Sequence, residues 1–283
     1  MKLIFMRIIL AVTSSATTCY KIKQTNGDRI VNGTDATRGQ FPFIVSLSII
    51  YPEEIFSFCG GSIIRRYWTL TAAHCIDVVN EILIKYNDIK VLGNSHIVNN
   101  SIQHDIDCYK IHSMYQVGSL VNDIALIRVK QPFEGDYEKI ISRPPRNFKY
   151  VSDSEVTAMG WGVVSYQGPL PKVLQYVGLQ LIDDDICRRI TDYHSGVFIN
   201  LDVMVCAGEN SKTSCNGDSG GPLIQRLRHQ YQIGIASWGT NCMAFPGVYV
   251  RITTYLDWIE NITKQYNSGC QSTSKCIPSR RNT

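Results

Sequence analysis

The sequence predicts an all-β fold, a barrel or a sandwich, with one helix close to its C-terminus. Two observations carry this prediction. Short β-branched and aromatic runs recur along the chain, separated by Gly and Pro, and a single later segment has helical spacing. A chain of 283 residues can bury a large core, and all-β barrels of this size occur as one domain.

Seven runs are predicted as strands because they are short, apolar and bounded by turn-forming residues. They cover residues 43–49, 62–64, 82–84, 124–129, 156–159, 232–235 and 248–250. The predicted helix spans residues 255–265, where Leu256, Ile259 and Ile262 recur at helical spacing. It is the one segment that the sequence predicts to be helical.

The composition argues against several classes of function. The net charge of +4 is small, so we expect no nucleic-acid partner. No segment after the N-terminus has the pattern of a transmembrane helix, so we expect no membrane partner. Ten cysteines are many for a cytosolic chain and indicate an oxidising compartment.

Residues 1–16 have the pattern of a secretory signal peptide. A short apolar run over residues 3–12, interrupted by Arg7, precedes the small residues of 14–16. The alternative is an N-terminal membrane anchor, but the run is too short to span about 30 Å of hydrocarbon as a helix. We therefore expect a secreted, extracellular protein.

A candidate cleavage site comes next. Residues 17–29 are short, polar and basic, and the apolar pair Ile30-Val31 comes directly after Arg29. A lone arginine at an exposed, flexible position is where a protease can cut the chain. The same pattern fits an ordinary junction between a loop and a strand, and the residues alone leave both interpretations open.

Two motifs contain a titratable residue beside an apolar strand. His74, in the segment 70–75, fits a core residue, a metal ligand or a general base. Zinc is disfavoured because no second histidine lies nearby at ligand spacing, so no metal site is predicted. Asp123 begins the strongly apolar run 124–127, which fits either a surface turn or an interior carboxylate that needs a partner.

The third motif is the segment 215–222, with Ser219 between small residues that leave its hydroxyl open. Gly217 allows a backbone turn that a side chain would block, so that N–H groups can converge on one point. Alone, the segment also fits a glycine-rich turn that happens to contain a serine. With His74 and Asp123, it supplies a nucleophile, a base and a residue that orients the base, in one of the known chain orders.

Together with Ile30-Val31-Asn32-Gly33, these three motifs resemble those of the chymotrypsin-type serine protease zymogens. The resemblance covers residues 30–265, which is most of the chain. It implies two six-stranded antiparallel β-barrels with a C-terminal α-helix. It also implies a division into a signal peptide (1–16), an activation propeptide (17–29), a serine protease domain (30–267) and a basic C-terminal tail (268–283).

The resemblance assigns a role to each motif residue. Ser219 is expected to attack the peptide carbonyl, His74 to carry the proton, and Asp123 to hold the imidazole. The N–H groups of Gly217 and Ser219 are expected to form the oxyanion hole. Ser237 matches the family serine that contacts the aspartate.

Activation is implied by the same resemblance. Cleavage after Arg29 is expected to free the amine of Ile30, which then enters the protein and pairs with Asp218. A buried ammonium–carboxylate pair forms only when both partners exist. The uncleaved chain is therefore expected to be an inactive zymogen.

The resemblance also predicts a substrate pocket, formed by Thr213, Ser214, Ser237, Trp238, Gly239 and Gly247. Thr213 is at the pocket base, where trypsin-type enzymes have an aspartate, so a bound substrate cation would be unpaired. Gly239 and Gly247 leave room for a large ring between the walls. We therefore expect cleavage after Tyr, Phe, Leu or Met, and keep elastase-like and trypsin-like specificity as alternatives.

Three disulfides carry over from the family: Cys59–Cys75, Cys187–Cys206 and Cys215–Cys242. Four cysteines remain, namely Cys19, Cys108, Cys270 and Cys276. Cys108–Cys270 is expected because the family's terminal helix packs near the strand of Cys108, with Cys276 as the competing partner. Cys19 would then join the propeptide to the tail, or pair between chains.

We expect a monomeric serine endopeptidase that needs no cofactor. Its expected partners are protein or peptide substrates, an activating trypsin-like protease and protein inhibitors. Asn99 and Asn261 are candidate N-glycosylation acceptors, and Asn32 is a poorer one beside the activation site. The alternative is a catalytically silent binding or regulatory protein with this fold, although such proteins usually lack one of the three motif residues.

Overall fold

The computed structural model describes residues 33–52, 54–77, 89–163, 170–195, 199–208, 218–239 and 246–267. The short strand β1 (Thr34–Asp35) comes first. Six antiparallel strands then close into the first barrel: β2 (Ile44–Ile50), β3 (Ile55–Arg65), β4 (Trp68–Thr71), β5 (Ile89–Gly93), β6 (Ile102–Ile111) and β7 (Ala125–Val129). Around the barrel the order is β2-β3-β4-β7-β6-β5.

The second barrel also has six antiparallel strands: β8 (Glu155–Gly160), β9 (Gln175–Leu181), β10 (Met204–Gly208), β11 (Pro222–Arg226), β12 (Gln230–Trp238) and β13 (Gly247–Arg251). Their order is β9-β10-β13-β12-β11-β8, and pairing of β8 with β9 closes the ring. Strand β1 pairs with the first two residues of β9, Gln175 and Tyr176. The predicted fold, two six-stranded barrels with a C-terminal helix, is confirmed.

Six of the seven predicted strands fall within observed strands, to within one residue at their ends. The seventh, at 82–84, lies outside the described residues. The run 62–64 is only the end of the 11-residue strand β3. The earlier part of β3 was not predicted from the sequence, where Gly60 and Gly61 separate its first apolar residues from the run 62–64. This earlier part pairs with β2 across a register shift after Leu47.

The hydrophobic core runs through the first barrel and continues into the boundary between the barrels. Leu47, Ile63, Leu70 and Leu126 are fully buried inside the first barrel. Burial of each such side chain contributes about 1.5–3 kcal/mol. Ile235 of the second barrel belongs to the same buried cluster. This continuous packing fixes the cleft between the barrels, where the candidate site lies.

Besides a short helical turn at residues 73–77, two longer α-helices are described, where the sequence indicated one. Helix α1 (Asp184–Ser195) begins where Asp183 Oδ1 accepts the N–H groups of Asp185 (2.9 Å) and Ile186 (3.3 Å). This helix was not predicted from the sequence. Few residues of α1 are apolar, and Cys187 is fully buried through its disulfide to β10, which a helical hydrophobic pattern does not reveal.

Helix α2 (Leu256–Gln265) is the predicted terminal helix, with its start one residue later than expected. Tyr255 instead ends a short 3-10 turn, Ile252–Tyr255. Ile259 of α2 is fully buried in the core. Among the described residues, no helix combines the length and the hydropathy needed to cross a membrane.

Candidate active site

His74 lies on a short helical turn, residues 73–77, that comes almost directly after β4. The disulfide Cys59–Cys75, with an S–S distance of 2.02 Å, ties this turn to β3 and confirms the expected pairing. The side chain of His74 is 17% exposed, so one edge of the ring remains accessible. His74 and the two cysteines come within 4.8 Å of one another, but sulfurs joined in a disulfide offer no thiolate to a metal.

Asp123, just before β7, is fully buried and its carboxylate is held by three hydrogen bonds. Oδ1 accepts the backbone N–H of His74 at 2.8 Å. Oδ2 lies 2.7 Å from His74 Nδ1 and accepts the hydroxyl of Ser237 at 2.5 Å. These donors compensate the cost of burying a carboxylate. Because Nδ1 donates to Asp123, Nε2 of neutral His74 is left free to accept a proton.

The electrostatic surroundings favour the protonated form of His74. Burial alone would lower the pKa of His74, and it is the largest single influence. The charge of Asp123, its hydrogen bond and the charge of Asp77 together outweigh burial, so the pKa of His74 is raised above its ordinary value. Asp77 follows His74 by three residues on the same helical turn, which brings the two side chains to one face.

Ser219 is half-buried, on a tight turn between the site residue Asp218 and β11. The N–H of Gly221 donates to the carbonyl of Asp218 at 2.8 Å, which closes the turn. Gly220 has a φ of +76°, in the left-handed region that favours glycine. The turn therefore depends on Gly220, whereas Gly217, to which the sequence motif assigned the turn, lies outside the described residues.

Contacts with the first barrel place this turn beside the segment that carries His74. The N–H of Gly60, on β3, donates to the carbonyl of Ser219 at 2.7 Å. A Cβ on Gly220 would overlap Thr71 Oγ1 and come within 3.2 Å of the nitrogen of Ala72. Thr71 and Ala72 are only three and two residues before His74. The structure thus brings His74, Asp123 and the turn of Ser219 to one region between the barrels.

Asp218 is buried beneath the turn, with 3% of its surface exposed. Its Oδ1 accepts the N–H of Gly162 at 2.9 Å. Gly160 lies so close that a Cβ there would overlap the Asp218 carboxylate. Its predicted partner in activation, the amine of Ile30, and the predicted cleavage site after Arg29 lie outside the described residues.

The described part of the predicted pocket is open. Ser237 is 5% exposed at the end of β12, and Trp238 follows it, half-buried. A Cβ placed on Gly239 would meet nothing closer than the Cα of Gly247, at 4.0 Å. The two glycines therefore face each other across free space. Thr213, Ser214 and Gly217 lie outside the described residues.

The disulfide Cys187–Cys206 is also present, as expected. Cys215 and Cys242 lie outside the described residues. Cys108 is disulfide-bonded, and its partner is outside the described residues because the other four described cysteines pair with one another. Cys19, Cys270 and Cys276 are also outside this part of the chain.

Two of the candidate glycosylation sites are described. Asn99, on the 3-10 turn Val98–Asn100, and Asn261, on α2, are both exposed. Asn32 lies outside the described residues.

Three residues near the site were not singled out from the sequence: Asp77, Asn122 and Tyr255. Asn122 precedes Asp123 with a φ of +60°, and its side-chain amide accepts the hydroxyl of Tyr255 at 2.8 Å. For Asp77 alone, the sequence offered a signal: its three-residue spacing from His74 places the two side chains on one face of a helical turn. The link from Asn122 to Tyr255 spans 133 positions and leaves no local pattern.

Fold and site together define a class of protein with two six-stranded barrels, a buried aspartate bonded to a histidine, and a serine on a neighbouring turn. In comparison with known protein families, the model described as Trypsin matches residues 30–259. This match covers most of the chain, which therefore belongs to the trypsin family of serine proteases.

Proposed function

We propose that the protein is a secreted serine endopeptidase that works through an acyl-enzyme. The observation that carries the proposal is the buried Asp123, whose oxygens bind both the ring and the backbone of His74 and the hydroxyl of Ser237. Such a carboxylate fixes the tautomer of a general base. The turn of Ser219 packs against the chain just before that base.

In the proposed reaction, the hydroxyl oxygen of Ser219 attacks a peptide carbonyl while Nε2 of His74 takes its proton. Asp123 stabilises the imidazolium that forms, and the N–H groups of Gly217 and Ser219 bind the oxyanion. His74 then donates the proton to the leaving amine, which breaks the peptide bond. Water, deprotonated by His74, hydrolyses the acyl-enzyme and restores Ser219. Proton transfer of this kind contributes about 10²–10⁴ in rate.

The proposal includes activation by cleavage. A trypsin-like protease cuts after Arg29, removes the propeptide 17–29 that follows the signal peptide 1–16, and frees the amine of Ile30 to pair with Asp218. The burial of Asp218 supports this, because a buried carboxylate gains from a cationic partner. The active form then consists of the protease domain, 30–267, followed by the basic tail, 268–283. N-terminal sequencing of the active form is expected to begin at Ile30.

We further propose a preference for Tyr, Phe, Leu or Met before the scissile bond, in a monomer that acts on protein substrates and is subject to protein inhibitors. The open space between Gly239 and Gly247 supports a pocket for a large side chain. The uncharged Thr213 at its base disfavours a basic side chain. A panel of chromogenic peptides tests this preference, and fastest cleavage after Arg would contradict it.

The proposed chemistry is tested with a fluorophosphonate probe, which reacts covalently with an activated serine. We expect the Ile30 form to be labelled and the Ser219→Ala variant not to be. We also expect the uncleaved chain to react far more slowly. Equal labelling of the wild type and Ser219→Ala, or no labelling of either, would favour a catalytically silent binding protein.

A further inference from the structure

The residue before Asp123 adopts an unusual backbone conformation. Asn122 has a φ of +60°, in the left-handed region that few non-glycine residues occupy and that asparagine tolerates better than most. Its carbonyl accepts the N–H of Ile124 at 2.8 Å, so the chain turns tightly around Asp123. The direction in which the Asp123 carboxylate points therefore depends on the conformation of Asn122.

Two hydrogen bonds hold the side chain of Asn122. Its Nδ2 donates to the carbonyl of Met114 at 2.9 Å, and its Oδ1 accepts the hydroxyl of Tyr255 at 2.8 Å. A carbonyl can only accept, so the contact with Met114 fixes which end of the amide faces Tyr255. Both ends of the amide are therefore used.

The two partners of Asn122 come from well-separated parts of the chain. Met114 lies on the loop before Asp123, where Gln116 and Val121 pair in an isolated bridge. Tyr255 is 3% exposed and ends the 3-10 turn before α2, with its ring 5.3 Å from that of His112. Asn122 thus connects the loop to the C-terminal helical segment, at the position next to the buried carboxylate.

We propose that Asn122, held by Tyr255 and Met114, is the positioning residue that sets the orientation of the Asp123 carboxylate toward His74. This inference deepens the proposed function and rests on it. Asn122 acts through Asp123, and it contacts neither the substrate nor the reacting atoms. The C-terminal segment gains a role in catalysis, because its Tyr255 hydroxyl supports the loop that ends at Asp123.

The inference is tested in the Ile30 form with four variants. Asn122→Gly keeps the left-handed backbone but loses both hydrogen bonds, whereas Asn122→Ala loses the bonds and also strains the backbone. Tyr255→Phe removes only the hydroxyl. Tyr150→Phe is the matched control, because its hydroxyl likewise donates to one carbonyl, that of Ile233 at 2.8 Å, in the second barrel.

The first readout is the rate of fluorophosphonate labelling against pH. We expect Asn122→Gly to slow labelling about tenfold, since small displacements of a catalytic group are costly, and Tyr255→Phe to slow it less. Both should move the acid limb of the profile to lower pH, because a displaced Asp123 holds the proton of His74 less well. A double variant that combines Asn122→Gly with Tyr255→Phe should be labelled no more slowly than Asn122→Gly alone, since both changes break the same hydrogen bond.

The second readout is the NMR resonance of the proton between His74 Nδ1 and Asp123, which does not require catalysis. We expect this resonance to shift or broaden in Asn122→Gly and to be unchanged in Tyr150→Phe. If the wild type is not labelled, the proposed function fails, and the NMR result still decides the inference. The inference is overturned if Asn122→Gly has the same labelling rate, pH profile and resonance as the wild type or as Tyr150→Phe.

Discussion

At the scale of single residues, two carboxylates act on His74 in different ways. Asp123 binds its ring directly, at 2.7 Å, while Asp77 acts on it through its charge. Both raise the pKa of His74 against the lowering effect of burial. In the proposed function His74 is the general base and works only when neutral, so the two carboxylates are expected to set the lower pH limit of activity.

We therefore expect Asp77→Asn to move the acid limb of the pH–rate profile to lower pH. The substitution removes a charge that favours imidazolium, so the pKa of His74 falls and more of the neutral base is present in mild acid. The measurement is the rate of fluorophosphonate labelling from acid to neutral pH. Asp153→Asn, at an exposed turn of the second barrel, is the isosteric control and should leave the profile unchanged. A shift to higher pH would contradict the assignment.

The structure also explains why position 220 requires glycine. Gly220→Ala forces a Cβ into the left-handed region, at about 1–2 kcal/mol, and pushes it against Thr71 Oγ1. We expect a loss of roughly 2–4 kcal/mol in the free energy of unfolding with overpacking included, together with loss of labelling at Ser219. Urea unfolding and probe labelling measure the two effects.

Gly178→Ala provides the control for this substitution. Gly178 lies within β9, and a Cβ there would meet nothing within 4 Å. We expect Gly178→Ala to have the same free energy of unfolding as the wild type and to be labelled at the same rate. Similar behaviour of the two alanine variants would show that the turn tolerates a side chain.

At the scale of secondary-structure elements, helix α2 is held against the first barrel by charge as well as by apolar packing. Glu260 pairs with Arg65 at 2.5 Å, with Lys264 at 3.1 Å and with Arg143 at 3.4 Å. Hydrogen bonds from Lys264 and then Arg65 lower the pKa of Glu260 to about 2. The side chain remains 33% exposed, so solvent screens these pairs.

We expect Glu260→Gln to lower the free energy of unfolding by about 0.5–1 kcal/mol at neutral pH. The pKa of Glu260 is lowered by folding, so its stabilising effect is present above the unfolded value and is lost as pH falls toward about 2. Unfolding curves of wild type and variant should therefore converge in acid. Asp257→Asn, which breaks a more exposed pair with Arg146, should have a smaller effect. A difference that grows in acid would contradict this account.

The two helices show what the sequence could predict at this scale and what it could not. In α2, Leu256, Ile259 and Ile262 share one face and pack on a core, so periodicity alone found the helix. Among the residues of α1 whose burial is described, Cys187 and Thr191 are the buried ones, and a disulfide replaces most of the apolar contact. Periodicity cannot reveal an element that is held by a covalent bond.

At the scale of the whole molecule, the site depends on contacts between distant parts of the chain. Ser62 of β3 donates to the amide oxygen of Gln232 on β12 at 2.6 Å, a fully buried bond between the barrels. The three short motifs around His74, Asp123 and Ser219 were visible in the sequence because each is local. The hydrogen bonds of Tyr255 and Ser62 could not be predicted, because each joins residues far apart in the chain and no local sequence pattern indicates the partner.

A covalent link is expected between the first barrel and the end of the chain. Cys108 is disulfide-bonded and lies opposite Arg128 in the pairing of β6 with β7. The guanidinium of Arg128 donates to the carbonyl of Asn267 at 3.4 Å, and Lys110 lies 4.2 Å from the ring centre of Tyr266. The C-terminal end of α2 is therefore docked beside Cys108.

We expect Cys108 to be bonded to Cys270, which follows Asn267 by three residues and can be reached by about 10 Å of extended chain. Cys276 is six residues further along, so the chain would have to fold back toward Cys108 to bring it within bonding distance. Peptide mapping without reduction should recover the Cys108–Cys270 pair, and a Cys108–Cys276 pair would contradict the prediction. Replacing both Cys108 and Cys270 by Ala should lower stability by about 2–4 kcal/mol. Labelling at Ser219 should weaken as well, because the lost bond loosens the segment whose Tyr255 supports Asn122.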